Sequence, residues 1–302
     1  MPTFLSRLQG RTKKPDEHIT PPAQIPRALT APTEPTTPSE PTITTPPPVQ
    51  NYPVGLVRYL TVGINYVGTP YELAGCINDT DNLISQLKTY FPSCTNYHQL
   101  TDKTPMKPTK TNIMACLNWL TTNLKPGQNV LFHFSGHGGN LTNVAGNRVD
   151  GYDSCIYPCN NGKIEVIEAK ELHAALSAKL PAGSKCFIIV DSCHSETTME
   201  LPYQWTERNN VVTYKENLEF PVEPGNIVFL AACQDNDKDS RPCGALTTAL
   251  LNVWKSYGPA FKLYRLLSDV SNYMAANGYT QHPALSTSRL LDMTEDWDLG
   301  LP

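Results

Sequence analysis

Strands and helices alternate along residues 52–302, and several of the strands are apolar from end to end. These two observations predict an α/β fold: a mostly parallel β-sheet flanked by helices on both faces. A strand buried on both sides shows no polar alternation, which is the pattern here. The first fifty residues share neither feature. They hold 12 of the chain's 27 prolines, and the run PTEPTTPSEPTITTPPP has too few apolar side chains to build a core. Two parts are therefore expected, a mobile proline-rich arm over residues 1–51 and one folded domain over 52–302.

The elements follow in order. Residues 56–64, LVRYLTVGI, form a buried strand. Asn78 or Asp79 caps a helix that runs to Tyr90, with Leu83, Ile84 and Leu87 on one face. Thr109, after Pro108, opens a second helix carrying Ile113, Leu117 and Leu120. NVLFHF at 129–134 is the next buried strand, and a helix is expected over 168–180. KCFIIV at 185–190 and NIVFLA at 226–231 are two further strands. Helices at about 245–257 and 260–276 come next, and short strands near 283–291 close the chain.

Composition excludes several classes. The net charge of −4 over 302 residues does not suggest a nucleic-acid or membrane partner. No apolar run approaches the roughly 20 residues of a membrane span. The N-terminal run lacks the apolar core of about 7–15 residues that a secretory signal needs. Nine cysteines, an odd number spread along the chain, fit reduced thiols in a cytosolic protein better than a disulfide framework. Cys155 and Cys159 are the one close pair, without a second pair at zinc-ligand spacing.

Two apolar strands run directly into loops that carry reactive side chains. NVLFHF leads into Ser135-Gly136-His137-Gly138-Gly139, and KCFIIV leads into Asp191-Ser192-Cys193-His194-Ser195. In open α/β sheets functional loops lie beyond the carboxyl ends of the strands. If the two strands are neighbours, His137 and Cys193 emerge at one edge. A thiol with a pKa of about 8.5 becomes a nucleophile when an imidazole draws its proton. The backbone N–H groups of Gly138 and Cys193 are candidate oxyanion donors. His194 is the rival base, but adjacent side chains at a strand end point apart.

The runs GINYVG (63–68), LAGCINDTDNL (73–83), HFSGHGG (133–139), DGYDSCIYP (150–158), DSCHS (191–195), ELPY (200–203) and GALT (244–247) resemble the metacaspases, a family of caspase-like cysteine peptidases. The resemblance spans about 56–291. With the proline-rich arm, and without a long insert before the 226–231 strand, the chain is similar to type I members. The resemblance implies a caspase-like sheet flanked by helices and endopeptidase cleavage after Arg or Lys, by a monomer. It implies a His137–Cys193 dyad and an acidic specificity pocket on Cys76, Asp79, Ser135 and Asp191. Two carboxylates suit a guanidinium or an ammonium, so the expected partners are proteins and peptides with Arg or Lys at the cleavage site.

The chain departs from the family in two places. Many members need calcium, bound by several Asp side chains. One of those matches Asp153 and another Glu200, but two more fall on Val166 and Ile167, which offer no side-chain oxygen. Glu165 and Glu168 compensate only if the loop shifts by a residue. No cofactor is therefore expected to be required, and calcium dependence is expected to be weak or absent. The second departure is Glu196, where the family has a small residue after DSCHS. Self-cleavage is expected in mobile segments, at Arg208 or Lys215 within 196–225 and at Arg7, Arg11, Lys13, Lys14 or Arg27 in the arm. The alternative to an active peptidase is a catalytically weak, caspase-like scaffold, supported by Glu196 and the eroded calcium site.

Overall fold

The computed structural model describes residues 53–143, 151–193, 195, 197–208, 211–232 and 244–300. The arm, His194, Glu196 and the side chain of Arg208 lie outside the described residues. The first half of the chain forms β1 (Gly55–Gly63), α1 (Cys76–Tyr90), β2 (Tyr97–Thr101), α2 (Lys110–Thr121), β3 (Gln128–Ser135), β4 (Gly138–Thr142) and β5 (Tyr152–Ile156). Then come β6 (Cys159–Asn160), β7 (Lys163–Ile164), β8 (Ile167–Glu168), α3 (Ala169–Ala175), β9 (Lys185–Asp191), β10 (Tyr203–Arg208) and β11 (Val211–Glu216). The last part holds β12 (Asn226–Ala231), α4 (Ala245–Tyr257), β13 (Phe261–Lys262), α5 (Leu263–Ala276), β14 (Ala284–Thr287) and β15 (Asp296–Trp297).

Among the described residues the main sheet runs β11-β10-β14-β12-β9-β3-β1-β2. The strands from β2 to β12 pair in parallel, and β14, β10 and β11 add an antiparallel end. One face packs under α1, α4 and α5, where Leu83, Leu87, Leu250 and Leu266 meet Leu131, Phe187, Ile189 and Val228. Helices α2 and α3 contact each other, α2 contacts β1, and their residues lie outside that cluster, so they cover the opposite face. Both faces of the central strands are thus dry. Cys186 through Val190 of β9 are all fully buried, which explains their unbroken apolar run.

Several boundaries differ from the sequence reading. Helix α1 starts earlier than expected, with left-handed Gly75 as its cap. Neither Asn78 nor Asp79 caps it. Asn65, from the loop after β1, accepts the Ile77 N–H instead, so a distant side chain does the capping. Helix α3 begins at its Glu168–Glu171 capping box but ends at Ala175, and a tight 3-10 turn over Ser177–Lys179 follows. Pro181 favours an extended residue before it, and Leu180 is extended, so the helix cannot run on to 180. Helix α5 starts at Leu263 because Phe261 and Lys262 pair with β15. Tyr203–Arg208 and Val211–Glu216, to which the sequence reading assigned no strand, pair antiparallel as β10 and β11, and Lys215 is an exposed residue opposite Gln204. By contrast, Thr109 caps α2 by accepting the Asn112 N–H, as the sequence predicts.

Candidate active site

β3 and β9 are parallel neighbours, with Ser135 opposite Asp191. Both reactive loops therefore leave the sheet at the same edge and level. The Gly136 N–H donates to the Asp191 carbonyl at 3.3 Å, which ties the loops together at their start. They meet again two residues on. A Cβ placed on Gly138 would lie 2.5 Å from the Cys193 carbonyl oxygen and 2.6 Å from Ser192 Oγ. Only glycine lets the His137 loop approach the Cys193 loop this closely. Gly138 opens β4 opposite Ile156, and the Tyr157 N–H donates to the His137 carbonyl. Bonded and non-bonded pairs alternate in an antiparallel ladder, so the Gly138 N–H points away from β5.

His137 is half-buried and held on three sides. Its Nε2 lies 2.8 Å from the Tyr71 carbonyl oxygen. Its backbone N–H donates to the Tyr66 hydroxyl at 2.9 Å, and that hydroxyl donates to the Tyr157 carbonyl at 2.7 Å. The Tyr66 ring packs at 4.7 Å from the imidazole. Tyr66 is fully buried at a φ of 53°, a left-handed conformation that a bulky residue adopts only when its surroundings enforce it. A carbonyl can only accept, so Nε2 carries the hydrogen and Nδ1 of the neutral ring keeps its lone pair. Burial pushes His137 below the usual histidine range, against the pull of the Tyr71 carbonyl. The neutral, proton-accepting form thus prevails near neutrality. Cys193 is partly exposed.

Beside these loops lies a buried acidic cluster. Ser135 Oγ donates to Asp79 Oδ2 at 2.6 Å. Asp191 Oδ2 accepts from both the N–H and the hydroxyl of Thr247, each at 2.8 Å. Burial first, and the Asp191 charge next, push Asp79 up to about 7, while the Ser135 hydroxyl pulls it down. Gly244, at a φ of 98°, packs so that a Cβ there would lie 2.8 Å from Asp79 Oδ1. Of the four residues expected in the specificity pocket, the fold brings Asp79, Ser135 and Asp191 together. Cys76 is buried one helical turn before Asp79.

The calcium residues fare differently. Both carboxylate oxygens of Asp153 accept from the Asn143 amide at 2.9 Å. Glu200 sits in a left-handed turn, at a φ of 51°. Glu165 accepts the Lys110 backbone N–H, and Glu168 caps α3 and pairs with Lys170, so both acids already have partners. Ile167 is fully buried. Among the described residues no group of three or more His, Cys, Asp or Glu is placed to hold a metal, and these side chains do not fit a site of six to eight oxygens.

Comparison with known proteins agrees with this geometry. A family model described as the metacaspase, peptidase C14 domain matches residues 58–202. Metacaspase-1 of Mycosarcoma maydis is 30% identical over 291 residues, covering 79% of this chain and 72% of that protein. Metacaspase-1 of Scheffersomyces stipitis is 37% identical over 293 residues, with the same coverage of 79% and 72%.

The chain belongs to the metacaspase family.

Its fold is also that of the caspases. The crystal structure of Caspase-1 from Spodoptera frugiperda superposes with a TM-score of 0.50 at 15% identity, over 84% of this chain and 98% of that one. As a metacaspase the protein is a member of a cysteine peptidase family. No helix among the described residues is long and apolar enough to cross a membrane. Sequence reasoning assigned no role to Tyr66, Tyr71, His133 or Thr247. The signals were present: Tyr66 and Thr247 stand in the runs GINYVG and GALT, and His133 interrupts an apolar strand. Tyr71 acts through its carbonyl, which no side-chain pattern reveals.

Proposed function

We propose that the protein is a cysteine endopeptidase that cleaves after Arg or Lys, with Cys193 as nucleophile and His137 as general base and then general acid. The observation that carries this reading is the meeting of the His137 and Cys193 loops, backbone to backbone, beside two buried carboxylates. Nδ1 of His137 takes the thiol proton, and the sulfur attacks the carbonyl carbon of the scissile bond. Negative charge then develops on that oxygen, facing the N–H groups of Gly138 and Cys193. As the C–N bond breaks, the imidazolium returns its proton to the leaving amine. Water then hydrolyses the thioester to the acid and the thiol. The cationic side chain of the cleaved residue pairs with Asp79 and Asp191, in company with Cys76 and Ser135.

The same reading extends to control. Calcium is not required, because the residues at its expected place are apolar or already partnered. The domain of residues 52–302 acts as a monomer in the cytosol on protein and peptide substrates. It processes itself within the proline-rich arm of residues 1–51, where Arg7, Arg11, Lys13, Lys14 and Arg27 stand. The test is hydrolysis of an Arg-terminated fluorogenic peptide. Cys193→Ala should abolish it, and His137→Ala should lower kcat by roughly 10²–10⁴-fold. Unchanged turnover by Cys193→Ala refutes the assignment.

A further inference from the structure

The two carboxylates of the acidic pocket have unequal surroundings. Asp191 accepts the N–H and hydroxyl of Thr247 at Oδ2; burial pushes its carboxyl up, and the two Thr247 donors, with the nearby N–H groups of Leu246 and Gly244, pull it back toward the anion. It sits on the first turn of α4, whose N–H groups have no partner inside the helix and favour an anion. Among the described residues, Asp79 accepts from a single hydroxyl, that of Ser135.

Behind Thr247 lies His133, fully buried, with Nε2 3.1 Å from Thr247 Oγ1. The Thr247 hydroxyl has already given its one proton to Asp191, so the imidazole must be the donor. The reverse direction would need a proton on Asp191 Oδ2, the atom that accepts the Thr247 N–H. Burial pushes His133 down to about 3, so it stays neutral, and its Nδ1 has no hydrogen-bond partner. The chain His133–Thr247–Asp191 therefore runs one way and ends on a carboxylate.

We propose that Thr247, oriented by His133, is a specificity-determining residue: it fixes Asp191 as the pocket's permanent anion, so Asp79 holds the exchangeable proton of the empty pocket and releases it to solvent when an Arg or Lys side chain enters. This rests on the Arg/Lys reading above. The neighbours of Asp79 agree with it. β9 contributes Asp191, and β3 contributes Ser135 and, through Thr247, the neutral His133. The first turn of α4 carries no charged side chain, and α1 itself adds Cys76 one turn earlier. Arg58 of β1 is engaged with the Trp119 and Thr122 carbonyls, away from the pocket. Among the described residues no cation competes for Asp79. Burial and the Asp191 charge put its titration near 7. Below that pH the pocket offers an incoming cation one charge, and above it two.

The experiment compares kcat/KM for two peptides that differ only in Arg against its neutral isostere citrulline, from pH 5.5 to 8.5. Their ratio cancels the titration of the thiol and of His137. In the wild type the ratio should rise roughly tenfold or more with pH, centred near 7. In Asp79→Asn it should be low and flat. Thr247→Val should lower the ratio while sparing citrulline, and Thr247→Ser should restore it; equal losses on both peptides would mark a merely structural role and overturn the assignment. A high but pH-independent ratio in the wild type overturns the proton exchange while leaving the basic preference intact. A ratio near one at every pH refutes the Arg/Lys reading itself, and the inference with it.

Discussion

Gly138 links the two halves of the catalytic centre, and adding one methyl group there tests that link. In Gly138→Ala the new Cβ would stand 2.5 Å from the Cys193 carbonyl oxygen, 2.6 Å from Ser192 Oγ and 3.1 Å from Ser192 Cβ. Cβ atoms do not approach other heavy atoms within about 3.0 Å, so one backbone must retreat by roughly half an ångström or more. β4 is held by its ladder to β5, and Ser135 opposite Asp191 anchors both loops at the sheet edge. The displacement therefore falls on the segment bearing Cys193. Misplacing a reacting group by about 1 Å costs on the order of 10²-fold in rate, so kcat/KM should fall between about 10- and 100-fold. The cost to stability should be modest, about 1–3 kcal/mol for overpacking. The assay pairs peptide hydrolysis with a thermal unfolding scan of the same preparation. Wild-type turnover by a folded Gly138→Ala protein would refute the reasoning, because it would mean that the two loops do not meet where the chemistry occurs.

Other consequences follow from the same geometry. Tyr66→Phe leaves the part-buried His137 N–H without its acceptor and frees the imidazole to tilt; kcat should drop roughly tenfold or more with KM little changed, and stability by about 1–2 kcal/mol in chemical denaturation. The pKa of Asp79 is raised from 3.8 to about 7 in the fold, so the stability that its neutral form contributes is full below 3.8 and lost as pH rises through 7. Asp79→Asn does not titrate, so relative to the wild type it should gain about 3 kcal/mol, or roughly 6–12 °C in Tm, between pH 4.5 and pH 8. Hydrolysis by the purified protein should be unchanged by a chelator and by millimolar calcium; a large calcium requirement would sink the reading of the loop around Val166 and Ile167.

The parallel half of the sheet was legible because its strands are buried on both faces. KCFIIV and NIVFLA leave no polar register to misread, and their ends were placed to within a residue. Less legible were elements set by distant partners. Helix α1 begins where Asn65, eleven residues before Cys76, supplies an acceptor, so the local Asn78 and Asp79 misled. The β10–β11 pair went unrecognised because β11 is almost wholly exposed and β10 gains its burial from pairing with β14, far along the chain. At the site the reactive pair could be read from two strand ends. The groups that orient it could not. The Tyr71 carbonyl is a backbone atom, and the Tyr66 phenol reaches His137 across 71 positions of sequence. Thr247 stands 56 residues from the Asp191 it holds.

The central claim is that Cys193, served by His137, cuts peptide bonds after a basic residue. It is tested most directly by the cleavage profile of a peptide library digested with the wild type beside Cys193→Ala. Cleavage confined to bonds after Arg and Lys, and absent from the Cys193→Ala digest, is the predicted result. Cuts after other residues, or the same cuts from Cys193→Ala, would contradict it.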